Sequence, residues 1–327
     1  MRHARLAIIA ALTCVLAVQC AVAADAVAAN ATAPAKPAPK YKSAQEILDA
    51  SPKSDWHALD PNNTLYLELA TGRVIIELAP DFAPQHAANI RTLAHAGYWN
   101  GLSINRSQDN FVVQWGDANA GEKNAKPIGD AKPHLPAEFS RPMKDLAFTR
   151  LPDVDGWAPQ VGFAGDFPVA RDPREGQAWL THCYAMVGAG RDTAPDSSIG
   201  NELYVVDGQA PRQLDRNITV VGRVVQGMEL LSVLPRGTGA LGFYEKPEQR
   251  VAIKSIRLAA DVPESERTPL EMLRTNSATF AAATEARRNR RDGWYVRPAG
   301  HIDLCNVPLP ARAPPSPTAT PAAATSH

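Results

Sequence analysis

Leu65, Leu67 and Leu69 alternate with polar or aromatic residues, Thr71-Gly72 marks a turn, and Val74, Ile76 and Leu78 alternate again, so the spacing predicts a β-hairpin. A helix is expected next. Pro84 suits its first turn, Ala87, Ile90, Leu93 and Ala94 fall at helical spacing, and Gly97 closes it. Further along, Ser103–Ser107, Phe111–Gly116, Cys183–Gly188, Glu202–Asp207 and Thr219–Val225 are short runs rich in β-branched and aromatic residues, each read as a strand. Gln226–Leu234 fits a second helix and Val251–Leu258 a last strand. Many short strands and two helices predict a mainly β fold, an antiparallel barrel or sandwich with helices on its openings. Residues 119–178 carry eight prolines and few strand signals, and read as a long irregular loop, either disordered or functional. Trp157, Phe163, Phe167 and the adjoining Trp179 give that loop apolar surface with which to pack on the barrel.

The two ends lack such patterning. Arg2 and Arg5, an apolar run from Leu6 to Val18 and then Ala21-Val22-Ala23 have the order of a secretory signal, residues 1–23, too short to span a bilayer. An acylated Cys20 is the rival reading, disfavoured because Gln19 stands where a small residue would precede such a cysteine. Export into a periplasm is therefore expected, with no transmembrane span after cleavage. Residues 24–63 read as an Ala/Pro/Lys linker and a short pre-domain segment, 64–260 as the folded domain, 261–306 as a helical extension with a helix-compatible stretch over 264–291, and 307–327 as a disordered Pro/Ala-rich tail. Cys14 and Cys20 leave with the signal. Cys183 and Cys305 then remain in an oxidising space, either as one disulfide or with Cys183 as a buried thiol in its apolar run, the reading that the run favours.

Composition narrows the function classes. The 327 residues hold 34 Lys+Arg against 34 Asp+Glu, so no basic field argues for nucleic acid or a membrane surface. Arg287-Arg288-Asn289-Arg290-Arg291 is a solvated helix end, where cations suit the dipole. There is no Gly-x-Ser-x-Gly elbow and no His-Glu-x-x-His, and the eight histidines are scattered, so neither a serine hydrolase of that type nor a metal site is indicated. Gly116 and Gly121 have phosphate-loop spacing, but Glu122-Lys123 replaces the required Lys-Ser/Thr. His182 beside Cys183 is read as an accidental pair, because strand neighbours face opposite ways. What remains is Arg106, Phe111, Val112 and Gln114. Alternation from Phe111 places Val112 and Gln114 on one face, where Gln114 can hold a guanidinium from the adjacent strand.

This stretch resembles the cyclophilin family of peptidyl-prolyl cis-trans isomerases, whose members carry Phe-His-Arg followed by Gly-Phe-x-x-Gln-Gly-Gly-Asp. Arg106, Phe111 and Gln114 fall on the family's arginine, phenylalanine and glutamine. The frame agrees in order. Gly72–Leu78, Ala83-Pro84 through Asn89, Gly97–Leu102, Pro136–Phe139, Ala185–Gly190, Ser198–Val205 and Leu214–Val224 with Gly227-Met228 each look like a family segment, so the resemblance spans about Thr64–Leu258. It implies an eight-stranded antiparallel closed barrel capped by two α-helices. The departures fall on the binding wall. Asn105 replaces the family's histidine, Asp109-Asn110 its Pro-Gly, Glu202 a glutamine, Tyr204 a phenylalanine, Val187-Gly188-Ala189 its Ala-Asn-Ala, Gln213 a tryptophan and Ile218 a histidine.

The resemblance implies catalytic Arg106, Phe111 and Gln114, and substrate-binding Val112, Glu202, Tyr204, Leu214, Ile218 and Ala189, with no cofactor and no metal. The expected partners are unfolded or folding polypeptides with X-Pro bonds, the expected state a monomer. The alternative is a proline-peptide-binding chaperone module with little or no turnover, suggested by Glu202 and the altered wall. A third possibility makes the C-terminal helix and tails an attachment device.

Overall fold

The computed structural model describes residues 41–292 and 294–315. The expected signal, most of the linker and the end of the tail lie outside the described residues. The main sheet has nine strands: β1 (Thr64–Leu69), β2 (Gly72–Leu78), β3 (Ser103–Ser107), β4 (Phe111–Gly116), β5 (Met186–Ala189), β6 (Leu203–Asp207), β7 (Val220–Gln226), β8 (Val251–Ala252) and β9 (Ser255–Leu258). Their order is β8-β3-β4-β6-β5-β7-β2-β1-β9, antiparallel throughout. The helices are α1 (Ala44–Asp49), α2 (Pro84–His95), α3 (Met228–Ser232) and α4 (Ala278–Arg288).

Alternation decides what the curled sheet encloses. Leu65, Leu67, Val74, Ile76, Ile104, Val113, Trp115, Val187, Leu203, Val205 and Val221 point to one face and form one core with Ile90 and Leu93 of α2 and Leu231 of α3. The hairpin's other face is also buried, since Tyr66 and Ile75 pack with Ala259, Val262, Leu270 and Met272. The sheet differs from the expected eight-stranded closed barrel: it has nine strands and two end strands that do not pair with each other. The reason lies at Ile253-Lys254, where the expected last strand breaks into β8 and β9. The Ile253 N–H bonds the Leu102 carbonyl at 2.8 Å and the Lys254 N–H bonds the Glu68 carbonyl at 2.9 Å, so this segment serves both ends of the sheet.

The expectation of an irregular loop over 119–178 is overturned. Arg141–Pro142, Thr149–Leu151, Gln160–Ala164, Phe167–Asp172 and Gln177–Leu180 form a second, five-stranded antiparallel sheet. Its prolines are compatible with strands because most sit at the margins: Pro142 in the end strand, Pro152 and Pro159 just outside strands, Pro173 in a hairpin turn. Phe163, Val169, Trp179 and Leu180 share a core with Trp56, Met186, Val220, Leu273, Phe280 and Leu304. The described residues that flank the main sheet on either side are more ordered than their composition implied. Trp56–Ala58 and Ala311–Arg312 both pair with Glu271–Leu273, which is a strand and not part of a long helix. The helix of the extension starts at Ala278, where the Ser277 hydroxyl accepts from the Phe280 N–H. Of the tail expected to be disordered over 307–327, the described residues 307–315 are anchored instead, with Val307 buried and the Arg312 guanidinium 3.8 Å over the Trp56 ring.

Cys183 and Cys305 are joined as a disulfide, so the buried-thiol reading is set aside. The bond ties the segment leading into β5 to the extension across 122 residues of sequence. A second junction is polar. Glu77 of β2 sits opposite Arg223 of β7, with Asp166 from the second sheet facing Glu77 and His57 Nε2 2.9 Å from Asp166. Burial, reinforced by Asp166 against the opposing pull of Arg223, raises the Glu77 carboxyl from 4.5 to about 8.

Replacing Cys305 by Ser is expected to lower unfolding stability by roughly 2–5 kcal/mol, read from denaturant melts of the oxidised protein. Glu77 adds a pH signature. Its proton is kept in the folded state and lost in the unfolded one, so its contribution is full below pH 4.5 and is lost as pH rises to about 8. Stability measured across that window should fall less steeply in Glu77→Gln than in the wild type.

Candidate active site

Strict alternation from the inward Ile104 would turn Arg106 into the core. It does not, because the β3–β4 register shifts between Ile104 and Arg106: Ile104 pairs with Trp115, Arg106 pairs with Gln114, and Asn105 is the extra residue of a bulge. The bulge is bonded through the side chain and carbonyl of Asn105. The Asn105 side-chain amide donates to the Gly116 carbonyl at 3.0 Å, its side-chain oxygen accepts from the Ser103 hydroxyl at 2.6 Å, and its carbonyl accepts from the Tyr244 N–H at 2.9 Å. Asn105 thus stands where the family carries histidine and serves the backbone.

Arg106 is held on the outer face from three sides. Nη1 donates to Gln114 Oε1 at 3.0 Å, Nε to the Leu241 carbonyl at 2.6 Å, and Nη2 to Gln108 Oε1. The guanidinium lies between the rings of Phe111 and Phe243, 5.5 and 5.4 Å from their centroids. Gln114 is fixed in turn, its Nε2 donating to Glu202 Oε1 at 2.6 Å. Burial raises the Glu202 carboxyl above its ordinary value, although the Gln114 bond opposes this. Burial also lowers the Arg106 value, with Glu202 opposing. The turn between β3 and β4 holds Asn110 at φ 50°, a left-handed conformation that Asn tolerates where the family has glycine.

Beside the guanidinium, Val112, Tyr204 and Val206 form a small apolar cluster edged by Phe111 and Ile218. Tyr204 pairs directly with Gly188, where a Cβ would lie 2.2 Å from the Tyr204 ring carbon and hydroxyl. Two departures from the family therefore go together: the side chain lost at Gly188 makes room for the hydroxyl gained at Tyr204. Burial pushes the Tyr204 phenol well above its usual range, so it stays neutral.

Seven expected site residues are thus brought together: Arg106, Phe111, Val112, Gln114, Glu202, Tyr204 and Ile218. Two are not. Ala189 pairs with Leu203 and lies inside the main core, because alternation from Gly188 turns it inward. Leu214 ends the short turn Arg212–Leu214 and stands outside the apolar cluster. The sequence reading missed Gln108, Leu241 and Phe243, which reach Arg106 across loops, and His182, whose Nε2 is 2.9 Å from the Tyr204 hydroxyl. Only the proximity of Gln108 to Arg106 offered a signal. Among the described residues, no group of three or more His, Cys, Asp or Glu is arranged to hold a metal ion.

Residues 64–258 match the family described as cyclophilin type peptidyl-prolyl cis-trans isomerase/CLD. A probable peptidyl-prolyl cis-trans isomerase of Brucella suis is 30% identical over 200 residues, covering 59% of this chain and 82% of that protein. The human peptidyl-prolyl cis-trans isomerase-like 1 is 27% identical over 217 residues, covering 66% and 99%. The crystal structure of cyclophilin AquaCyp293 from Hirschia baltica superposes with a TM-score of 0.65 at 25% identity, covering 84% of this chain and 97% of that one. That share exceeds residues 64–258 alone, so the likeness extends into the added elements. The family model spans more than half of the chain, the relatives carry the same activity in their names and the fold superposes, so the chain belongs to the cyclophilin-type peptidyl-prolyl cis-trans isomerases.

Proposed function

We propose that this isomerase works through Arg106 on X-Pro bonds seated against Phe111, Val112, Tyr204 and Ile218. The activity of the chain is peptidyl-prolyl cis-trans isomerisation. An X-Pro amide resists rotation because resonance stiffens the C–N bond, with a barrier of about 18–20 kcal/mol. In the twisted amide that resonance is lost and the prolyl nitrogen becomes a hydrogen-bond acceptor. A donor aimed at that nitrogen stabilises the twisted form more than the planar one, which is what lowers a barrier. Arg106 keeps its charge at neutral pH and has five N–H groups. Three are engaged by Gln114, Gln108 and Leu241, which fix its plane and leave donors for the substrate. The apolar cluster would grip the proline ring while the acyl side turns. The observation that carries this reading is the guanidinium locked on three acceptors at the edge of that cluster.

The segment 251–258 bonds both ends of the main sheet, and we read β8 and β9 as two halves of one strand that closes an eight-stranded barrel. Export to a periplasm, with folding polypeptides as substrates, is favoured by the N-terminal pattern and by the Cys183–Cys305 disulfide, which suits an oxidising compartment.

Arg106→Ala should reduce kcat/KM on a short X-Pro peptide by about a hundredfold, the scale seen when one transition-state donor is removed. The folded state should still melt cooperatively; full activity in this variant overturns the mechanism, and peptide binding without rate enhancement in the wild type favours the chaperone module. A pH profile tests Glu202. As pH falls through its raised value the carboxylate is protonated, Gln114 loses its charged acceptor and kcat/KM should decline. Glu202→Gln should lack that acid limb.

A further inference from the structure

Below the apolar cluster runs a buried polar chain that the isomerase reaction does not itself require. The Tyr204 hydroxyl is 2.9 Å from His182 Nε2, and the two rings are parallel within 7°. His182 Nδ1 is 3.0 Å from Asp215 Oδ1, and the same carboxylate oxygen accepts the His182 backbone N–H at 2.9 Å. Asp215 Oδ2 accepts from Arg212 Nε at 2.6 Å. Arg212 then donates through both Nη atoms to the two oxygens of Asp155, at 3.0 and 3.2 Å. His182, Tyr204 and Arg212 are all buried.

The chemistry assigns each proton. Burial alone would raise Asp215, but the bonds from His182 and the charge of Arg212 hold its carboxyl below the ordinary value, so it is an acceptor. The His182 Nδ1 must then carry a hydrogen. In a neutral imidazole Nε2 is left as an acceptor, and the neutral Tyr204 phenol donates to it. No member of the chain lacks its partner.

We propose that His182 is a positioning residue for the proline socket: it draws the Tyr204 hydroxyl away from the socket so that the ring face, not the polar group, meets the proline. The role rests on the isomerase reading of that socket. Three consequences of placement support it. Tyr204 is the buried floor of the cluster, so its ring angle sets the depth of the socket. Asp215 lies on the segment that also carries Ile218, so His182 joins the floor to the rim. Asp155, at the far end, belongs to the chain between strands Thr149–Leu151 and Gln160–Ala164 of the second sheet, and its Oδ1 also accepts the N–H groups of Trp157 and Ala158. The second sheet thereby gains a task, which is to brace Arg212 behind Asp215. Next to His182, the Cys183–Cys305 bond anchors the backbone from the other side.

A socket that holds proline in the planar and twisted states alike affects KM more than kcat. Isomerisation of an X-Pro peptide is measured by NMR exchange for the wild type first; a wild type without rate enhancement defeats the isomerase reading, whereas the variants test His182. His182→Leu is expected to raise KM about tenfold, the scale set by leaving a buried hydroxyl unpaired, with kcat within about twofold. His182→Gln, which keeps an acceptor for the phenol and a donor for Asp215, should recover most of the loss. In a Tyr204→Phe background the added His182→Leu change should raise KM by less than about threefold, because the group it positions is gone. An equal KM rise in both backgrounds, or equal losses for Leu and Gln, overturns the proposal. Each variant is melted beforehand. Should His182→Leu not fold, Asp215→Asn carries the test: a higher KM at preserved kcat supports the role, and an unchanged KM overturns it.

Discussion

The bulge at Asn105 is the constraint on which the site depends. A strand with strict two-residue alternation and Ile104 inside would place Arg106 inside as well, in a core of Leu, Val and Trp where a guanidinium has no partner. One inserted residue reverses that. It pairs Arg106 with Gln114 across the ladder and leaves Ser107 facing inward opposite Val113. The bulge persists because the side chain and carbonyl of Asn105 are used, its side-chain amide and oxygen within the hairpin and its carbonyl by Tyr244. The bond to Tyr244 also brings the loop of residues 236–244 to the site, and from it come the Leu241 carbonyl and the Phe243 ring that fix the guanidinium.

Around this centre the altered wall is a set of matched changes. Tyr204 needs space and a partner for its hydroxyl; Gly188 supplies the space and His182 the partner. Glu202 supplies an acceptor for the Gln114 amide and so keeps Gln114 Oε1 free for Arg106. Such pairs preserve the geometry of an apolar cluster beside a fixed arginine while changing the side chains that make it.

The added segments are structural partners of the main sheet. The second sheet, the N-terminal strand and the C-terminal extension bury Trp56, Phe163, Trp179, Phe280 and Leu304 in a common core against Met186 and Val220 of the main sheet. The disulfide and the Glu77–Arg223–Asp166–His57 junction join the same layers at two further points. This common core explains why chain that reads as appendage is ordered: a three-residue strand or an eleven-residue helix is marginal alone and is held by the apolar surface it shares.

The hairpin, the first helix and the strands bearing Arg106, Gln114 and Tyr204 were legible in the sequence, because periodic apolar residues have to reach a core and that period is local. The family resemblance rested on the same local order, and it identified seven residues that do meet. Ala189 was misplaced because a motif match does not say which face a residue takes. The second sheet was hidden because its prolines look like breakers until strand edges and turns are known. His182 and Cys183 do part ways, but not by strand alternation, since the strand begins only at Met186: in the segment before it Cys183 reaches Cys305 and His182 reaches Tyr204. The sequence by itself determined the reaction class and the elements that carry it, since those follow from residue type and short-range spacing. The direction of Arg106, the pairing of the cysteines and the bracing of Tyr204 were decided only in the tertiary structure, because each depends on register or on contacts between residues far apart in the chain.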